Sequence, residues 1–269
     1  MTKTMGRVLI VAGSDSGGGA GVQADIKAVT AMGAYAATAI TAITVQDTLG
    51  VHDVFPIPPE VVRAQAEAVL ADIGADAIKT GMLGDVAMVE TVAALLSGPG
   101  RGVPAVIDPV MVAKGGSALL PAQAVEAVKT LLVPRADLLT PNAPEAGVLT
   151  GIAVASLGDA RRAAERLLAI GAKAVLLKGG HVPGDTVVDL LLTAEGESLF
   201  EGPRIDTRHT HGTGCTLASA VAAGVAKGLP LAAAVAEAWA YVAEAIRQAP
   251  GLGRGHGPLD HGWPLRGGA

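Results

Sequence analysis

Short apolar runs that stop at a glycine or a small polar cluster recur along the chain. The first, Arg7-Val-Leu-Ile-Val-Ala-Gly13, predicts a buried strand over 7–13. Similar runs predict strands over 35–44, 76–81, 104–110, 136–142 and 173–180. Between them the apolar positions take helical spacing, which predicts helices over 22–33, 59–73, 85–96, 122–132, 143–150 and 157–170. Strand and helix in alternation predict an α/β fold, a three-layer αβα sandwich around a mainly parallel sheet. The pattern then changes. Positions 186–202 read as a hairpin turning at Glu195-Gly196-Glu197, followed by helices over 214–227 and 231–248 and a Gly- and Pro-rich tail expected to be coil. With no repeat and no linker-like stretch, the 269 residues predict one domain over 1–269.

Composition narrows the class. Aromatic residues are only 2%, so Ala, Val, Leu and Ile must build the core. Net charge is −5 and no stretch is strongly basic, which argues against nucleic acid as the main partner. The apolar run at 8–12 is too short for a signal segment or a membrane span, so the chain is expected in solution without a membrane partner. A single cysteine, Cys215, leaves no internal disulfide and suits a reducing cytoplasm. Positive potential for an anionic substrate must then come locally, from helix N-termini, a few lysines or a bound metal.

Polar residues gather at the predicted strand ends: Gly13-Ser14-Asp15, Gln46-Asp47, Lys79-Thr80-Gly81-Met82, Asp108, Asn142 with Glu145, and Lys178-Gly179-Gly180. Ligands of such sheets bind at the carboxyl ends of the strands. Gly19-x-Gly21-x-x-Ala24 fits a loose dinucleotide fingerprint but lacks the acidic residue expected about 20 positions on; a loop closing over a substrate fits better. The chain has no P-loop motif. Asn142 and Glu145, at i and i+3, fit either a capping box or a seat for a hydrated Mg²⁺. His209, His211 and Cys215 suggest zinc, without a fourth ligand, or simple hydrogen bonding. Gly212-Thr213-Gly214-Cys215 precedes a helix, where free N–H groups can hold an oxyanion and favour a thiolate. Cys215 is thus a packing residue, a metal ligand or a reactive group.

Taken together, "AGSDSGGGAGVQADIK", "TAITVQDT", "KTGML", "DPVMVAKGG", "LLTPNAPEA", "LLKGGH" and "THGTGCTLASA" resemble the ribokinase-like superfamily. Within it the resemblance is to the hydroxymethylpyrimidine/phosphomethylpyrimidine kinases of thiamine biosynthesis, from Arg7 to about Pro258. The resemblance implies ATP-dependent phosphorylation of 4-amino-5-hydroxymethyl-2-methylpyrimidine and then of its monophosphate. It implies pyrimidine contacts at Gly13, Asp25, Gln46, Met82 and Val110. It implies ATP and Mg²⁺ contacts at Asp108, Asn142, Glu145, Lys178 and Thr213, with Asp108 and Glu145 at the metal. Catalysis falls to Cys215, Gly212, Gly214 and Lys178, with Cys215 where most of the superfamily has an aspartate. A homodimer is implied as well. The chain departs from the family pattern at Asp47, where Asn is usual, at His209, where Asn is often found, and at Gly262-Trp263. A pyridoxal kinase on the same scaffold is the nearest alternative. A nucleotide-sensing protein without catalysis and a flavin or nicotinamide oxidoreductase stand further off.

Overall fold

In the computed structural model, which describes residues 5–112 and 119–266, strand β1 (Arg7–Asp15) shows why the sheet is covered on both sides. Its side chains alternate between faces. Val8, Ile10 and Ala12 join a core with helices α1 (Gly21–Ala31), α7 (Thr213–Ala226) and α8 (Leu231–Arg247). Leu9 and Val11 join the opposite core, under α2 (Pro59–Asp72), α3 (Val86–Ser97), α4 (Ala122–Ala127), α5 (Ala143–Thr150) and α6 (Leu157–Ile170). Both sets are almost free of water contact, as an apolar run without polar alternation requires.

The other strands are β2 (Tyr35–Gln46), β3 (Val51–Pro56), β4 (Ala77–Thr80), β5 (Ala105–Ile107), β6 (Leu138–Leu139), β7 (Ala174–Leu177), β8 (Thr186–Thr193) and β9 (Gly196–Pro203). They form one sheet in the order β3-β2-β1-β4-β5-β6-β7-β8-β9. From β2 through β7 every pairing is parallel, so six strands end on one edge. β3, β8 and β9 add antiparallel margins.

The sequence pattern missed β3. Its residues Val51-His-Asp-Val-Phe-Pro are largely exposed at the sheet margin, so no apolar run marks them, and Pro56 is tolerated there. β2 runs two residues further than expected, which sets Gln46 in the strand itself. The β8–β9 hairpin pairs Thr193 with Gly196, turning at Ala194-Glu195, one residue earlier than expected. The tail is not all coil: Trp263–Arg266 forms a short helix, and the Trp263 ring stacks on Tyr241 at 6.2 Å. Of the "DPVMVAKGG" motif, Ala113, Lys114, Gly115 and Gly116 lie outside the described residues. No helix among the described residues is long and apolar enough to cross a membrane.

Candidate active site

The six parallel strands deliver the polar clusters to one cleft of about 1490 Å³. Gly13, Gln46, Met82, Val110, Asp108, Asn142, Glu145, Lys178, Gly212, Thr213, Gly214 and Cys215 all line it. One expected contact does not. Asp25, on α1, has no exposed surface; its Oδ1 accepts from Lys79 Nζ at 2.8 Å and from Ser219 Oγ at 2.7 Å. Asp25 therefore reaches the cleft only through Lys79, which forms part of the cleft floor with 0% of its side chain exposed. Lys79 stays protonated: burial alone would lower it, but the charges of Asp25 and Asp108 and the hydrogen bond to Asp25 raise it above its ordinary value.

At one end of the cleft, Met82 packs where a side chain on Gly13 would stand, 2.7 Å from Met82 Cε. Gln46 lies between Thr44 and His211, with its amide 3.2 Å from each. His211 Nε2 is also 2.9 Å from Asp15 Oδ2. The glycine loop after β1 does not offer its N–H groups to a dinucleotide. Those of Gly17, Gly19 and Ala20 all donate to the Asp15 carboxylate. Asp47, where the resembled family has Asn, spends its carboxylate on the turn N–H groups of Leu49 and Gly50 and on His52.

In the middle, α7 begins at Thr213 with Gly212 as its N-cap, in the left-handed region at φ 80°. No side chain caps this end; the Thr213 N–H turns back to the Thr210 carbonyl at 3.4 Å, and the N–H groups of Gly214 and Cys215 are left for a ligand. Only glycine fits at 212, because a Cβ would lie 1.8 Å from the Gly19 carbonyl oxygen. A Cβ on Gly214 would stand 3.1 Å from Lys178 Nζ, so Gly214 clears room for that ammonium. Lys178 Nζ donates to Asp108 Oδ1 at 2.8 Å, and Thr140 Oγ1 donates to the same oxygen at 3.1 Å.

The expected thiolate at Cys215 is corrected. Part of Cys215 opens on the cleft, but its thiol is packed round by protein. Loss of water pushes it up to about 11; Lys79 opposes this, while Asp25 and Asp108 add to it. Burial thus overrides the helix start. His209, His211 and Cys215 do not converge: among the described residues no three His, Cys, Asp or Glu side chains gather as a metal site.

Asn142 and Glu145 form the capping box of α5. Glu145 N–H donates to Asn142 Oδ1 at 2.9 Å and Asn142 N–H to Glu145 Oε2 at 2.8 Å. The Asn142 oxygen is thereby used, which leaves its NH₂ for a ligand. Glu145 also faces the cleft. Burial pushes its carboxyl up to about 7; Lys178 counteracts this and Asp108 adds to it. Beyond Lys178 the walls become more apolar, with Pro203, Trp239, Val242 and Ile246. Asp189 lies there too, accepting from Gly179 N–H at 2.7 Å, its carboxyl pushed up to about 6 by burial. The sequence pattern missed Asp189, although a lone acid inside the apolar run Val187-Val-Asp-Leu-Leu-Leu192 was the signal for it.

A family model described as phosphomethylpyrimidine kinase matches residues 15–260. The chain is 52% identical to a hydroxymethylpyrimidine/phosphomethylpyrimidine kinase of Streptomyces coelicolor over 96% of this chain and 95% of that one. It is 47% identical to the Bacillus subtilis kinase of the same name, over 95% and 94%. Among solved structures, it resembles the pyridoxal kinase of Staphylococcus aureus in complex with AMP-PCP and pyridoxal, at TM-score 0.90 and 36% identity over 98% and 96% of the two chains. It also resembles a phosphomethylpyrimidine kinase of Clostridium difficile, at TM-score 0.80 and 37% identity over 90% and 100%. With its strand-end residues gathered round an amide-rich helix start, the chain belongs to the phosphomethylpyrimidine kinase family.

Proposed function

We propose that this enzyme transfers the γ-phosphoryl group of ATP to the hydroxymethyl oxygen of 4-amino-5-hydroxymethyl-2-methylpyrimidine, and then to the resulting monophosphate. The observation that carries this is a single cleft with two unlike poles. Gln46, with a donor and an acceptor on one amide, stands at one pole beside the apolar Met82 and Val110. Between it and the apolar pole near Trp239, in the middle of the cleft, stand Lys178 and the N–H groups at the start of α7. A ring held at Gln46 directs its 5-substituent toward the start of α7.

Gly212, Gly214 and Cys215 supply backbone N–H groups where charge spreads over the transferring phosphoryl oxygens, and Lys178 adds a fixed positive charge. Glu145 and Asp108 fit Mg²⁺: they are hard carboxylate donors, and a hydrated Mg²⁺ takes few protein ligands. Such an ion supplies charge neutralisation for the phosphate chain. Asn142, through its NH₂, serves the phosphates. The apolar walls near Trp239 receive the nucleotide base. The first step starts from a neutral hydroxyl, whose proton passes to a phosphoryl oxygen or to water as the bond to ADP breaks; the second starts from a phosphate that is already an anion. Cys215 keeps its proton at neutral pH, so its part is to shape the site and bind the hydroxyl. The same reading makes the enzyme a cytoplasmic homodimer, with the exposed Ile43, Val45 and Phe55 of the β2–β3 margin as contact surface.

Pyridoxal is the competing ring, because the solved neighbours include pyridoxal kinases. Mass spectrometry of products from the pyrimidine, ATP and Mg²⁺ tests the proposal. Mono- and pyrophosphorylated pyrimidine are expected. Faster turnover of pyridoxal than of the pyrimidine overturns the assignment.

A further inference from the structure

The hydrogen count around Gln46 is not satisfied in the orientation its amide has in the structure. There Gln46 Oε1 lies 3.2 Å from Thr44 Oγ1, and Gln46 Nε2 lies 3.2 Å from His211 Nε2. Thr44 has one hydroxyl hydrogen, and the shorter 2.8 Å contact to the Ser14 carbonyl takes it. The hydroxyl therefore offers Gln46 a lone pair. On the other side, His211 Nε2 meets Asp15 Oδ2 at 2.9 Å. Burial would raise the Asp15 carboxyl, but the bonds from His211, Ala20 and Gly17 outweigh it and leave it below its ordinary value. A carboxylate has no hydrogen to give, so the hydrogen in this contact sits on Nε2. An N–H of His211 then confronts an N–H of Gln46.

A half-turn of the Gln46 amide removes both conflicts. Its NH₂ donates to Thr44, and its oxygen, in place of a second N–H, faces the His211 Nε2–H, whose single hydrogen Asp15 holds at 2.9 Å and the amide oxygen shares as the longer arm of a three-centre bond. We infer that the Asp15–His211 pair, with Thr44 opposite, holds the Gln46 amide in this turned orientation, so that His211 is a positioning residue selecting the donor–acceptor order of the ring. Each end of the amide keeps one bonding capacity for a ligand: a lone pair on the oxygen and a hydrogen on the nitrogen.

The ligand side of the inference rests on the pyrimidine-kinase reading; the hydrogen count does not. A 4-aminopyrimidine presents a donor, its amine, next to an acceptor, its ring nitrogen. A 4-oxo ring presents the reverse order. The ring cannot turn over to compensate, because its 5-hydroxymethyl group must face the start of α7. A fixed amide therefore accepts one ring and leaves unpaired groups with the other.

Two measurements test this. With ¹⁵N-histidine, the free enzyme is expected to show His211 Nε2 carrying its hydrogen, the signal being assigned by its loss in His211→Gln. Secondly, kcat/KM is compared for the 4-amino ring and its 4-oxo analogue. In His211→Leu the amide is free to turn, and the preference for the amino ring should shrink by on the order of 10–100-fold, the cost of an unpaired buried group. The change should lie in KM for the ring, with KM for ATP unaltered. In His211→Gln an NH₂ can serve both Asp15 and Gln46, so the preference should return. A bare Nε2 overturns the inference whatever the substrate. So does an equal loss for both rings in His211→Leu with the ratio unchanged. If the unaltered enzyme phosphorylates neither ring, the kinase reading fails and the nitrogen signal alone decides.

Discussion

Two lysine–aspartate pairs in this molecule have the same geometry and opposite uses. Lys79 with Asp25 and Lys178 with Asp108 both join Nζ to Oδ1 at 2.8 Å. The first pair is sealed, with both side chains at 0% exposure; in the second, Lys178 keeps 12% and opens on the cleft. Lys79 stands on β4, Asp25 on α1 and Ser219 on α7, so the sealed pair ties two helices to the sheet. Lys178 and Asp108 follow the ends of two parallel strands, where a ligand can divide their attention. On the proposed function, chemistry at this sheet edge falls to the pair with access. The pair buried more deeply is the framework beneath it.

The largest effect should come from breaking the sealed pair. Lys79→Met leaves the Asp25 carboxylate buried without its cation. Removing one partner of a buried pair costs about 3–5 kcal/mol. Denaturant unfolding should show that loss, and Lys79→Met with Asp25→Leu should recover most of it. A single variant as stable as the unaltered enzyme would erase the distinction between the pairs. Lys178→Met should do the reverse. Asp108 is itself only 2% exposed, but it lines the cleft and keeps Thr140 Oγ1 as a donor, so the loss of stability should be smaller than for Lys79→Met while turnover falls on the order of 10²–10³-fold, as loss of one preorganised charge contact does. Both phosphorylation steps should fall together, because both move a γ-phosphoryl group. Normal turnover in a folded Lys178→Met enzyme would return Lys178 to a structural role.

Glu145 sharpens the comparison from the acidic side. Its folded carboxyl is pushed up to about 7 from an ordinary 4.5, first by burial. The folded chain thus holds this proton more tightly than the unfolded chain does. Stability from this group is present below about pH 4.5 and is lost as pH rises toward 7. Glu145→Gln removes that loss and keeps a residue suited to the capping box. The variant should gain on the order of 2 kcal/mol relative to the unaltered enzyme between pH 5 and pH 8, while losing activity with Mg²⁺. A gain that did not depend on pH would show that the carboxylate is not strained.

The contrast between the two pairs also marks what sequence could disclose. The parallel core was legible because fully buried strands are continuous apolar runs. Five of them end in residues that line the cleft, and the parallel order sends those residues to one edge. β3 was not legible, since a margin strand exposed on both sides needs no apolar pattern. Asp25 was expected as a ligand contact through the family resemblance, and sequence does not tell whether a carboxylate faces a cleft or a buried lysine; only the packing of α1 against β4 decides it. Asp15 and His211 are 196 positions apart, and nothing local announces that they meet. Cys215 failed in the opposite way. Its helix-start position was legible, but the burial that overrules that position comes from the strands and side chains packed round it.

Cys215 therefore gives the smallest predicted effect and the finest test of the middle of the cleft. A general base at that position would be worth on the order of 10²–10⁴-fold, and only in the first step, where a neutral hydroxyl must lose its proton. The packed thiol, pushed up to about 11, keeps its own proton at neutral pH and cannot take another. Cys215→Ala leaves the backbone N–H groups at the start of α7 in place. Both steps should then fall by one common factor of less than about ten, far below what loss of a base removes. The first-step kcat of the unaltered enzyme should show no thiol inflection below about pH 10, in line with the raised pKa. Supplying the pyrimidine and its monophosphate separately measures each step. A loss confined to the first would make the thiol the base after all.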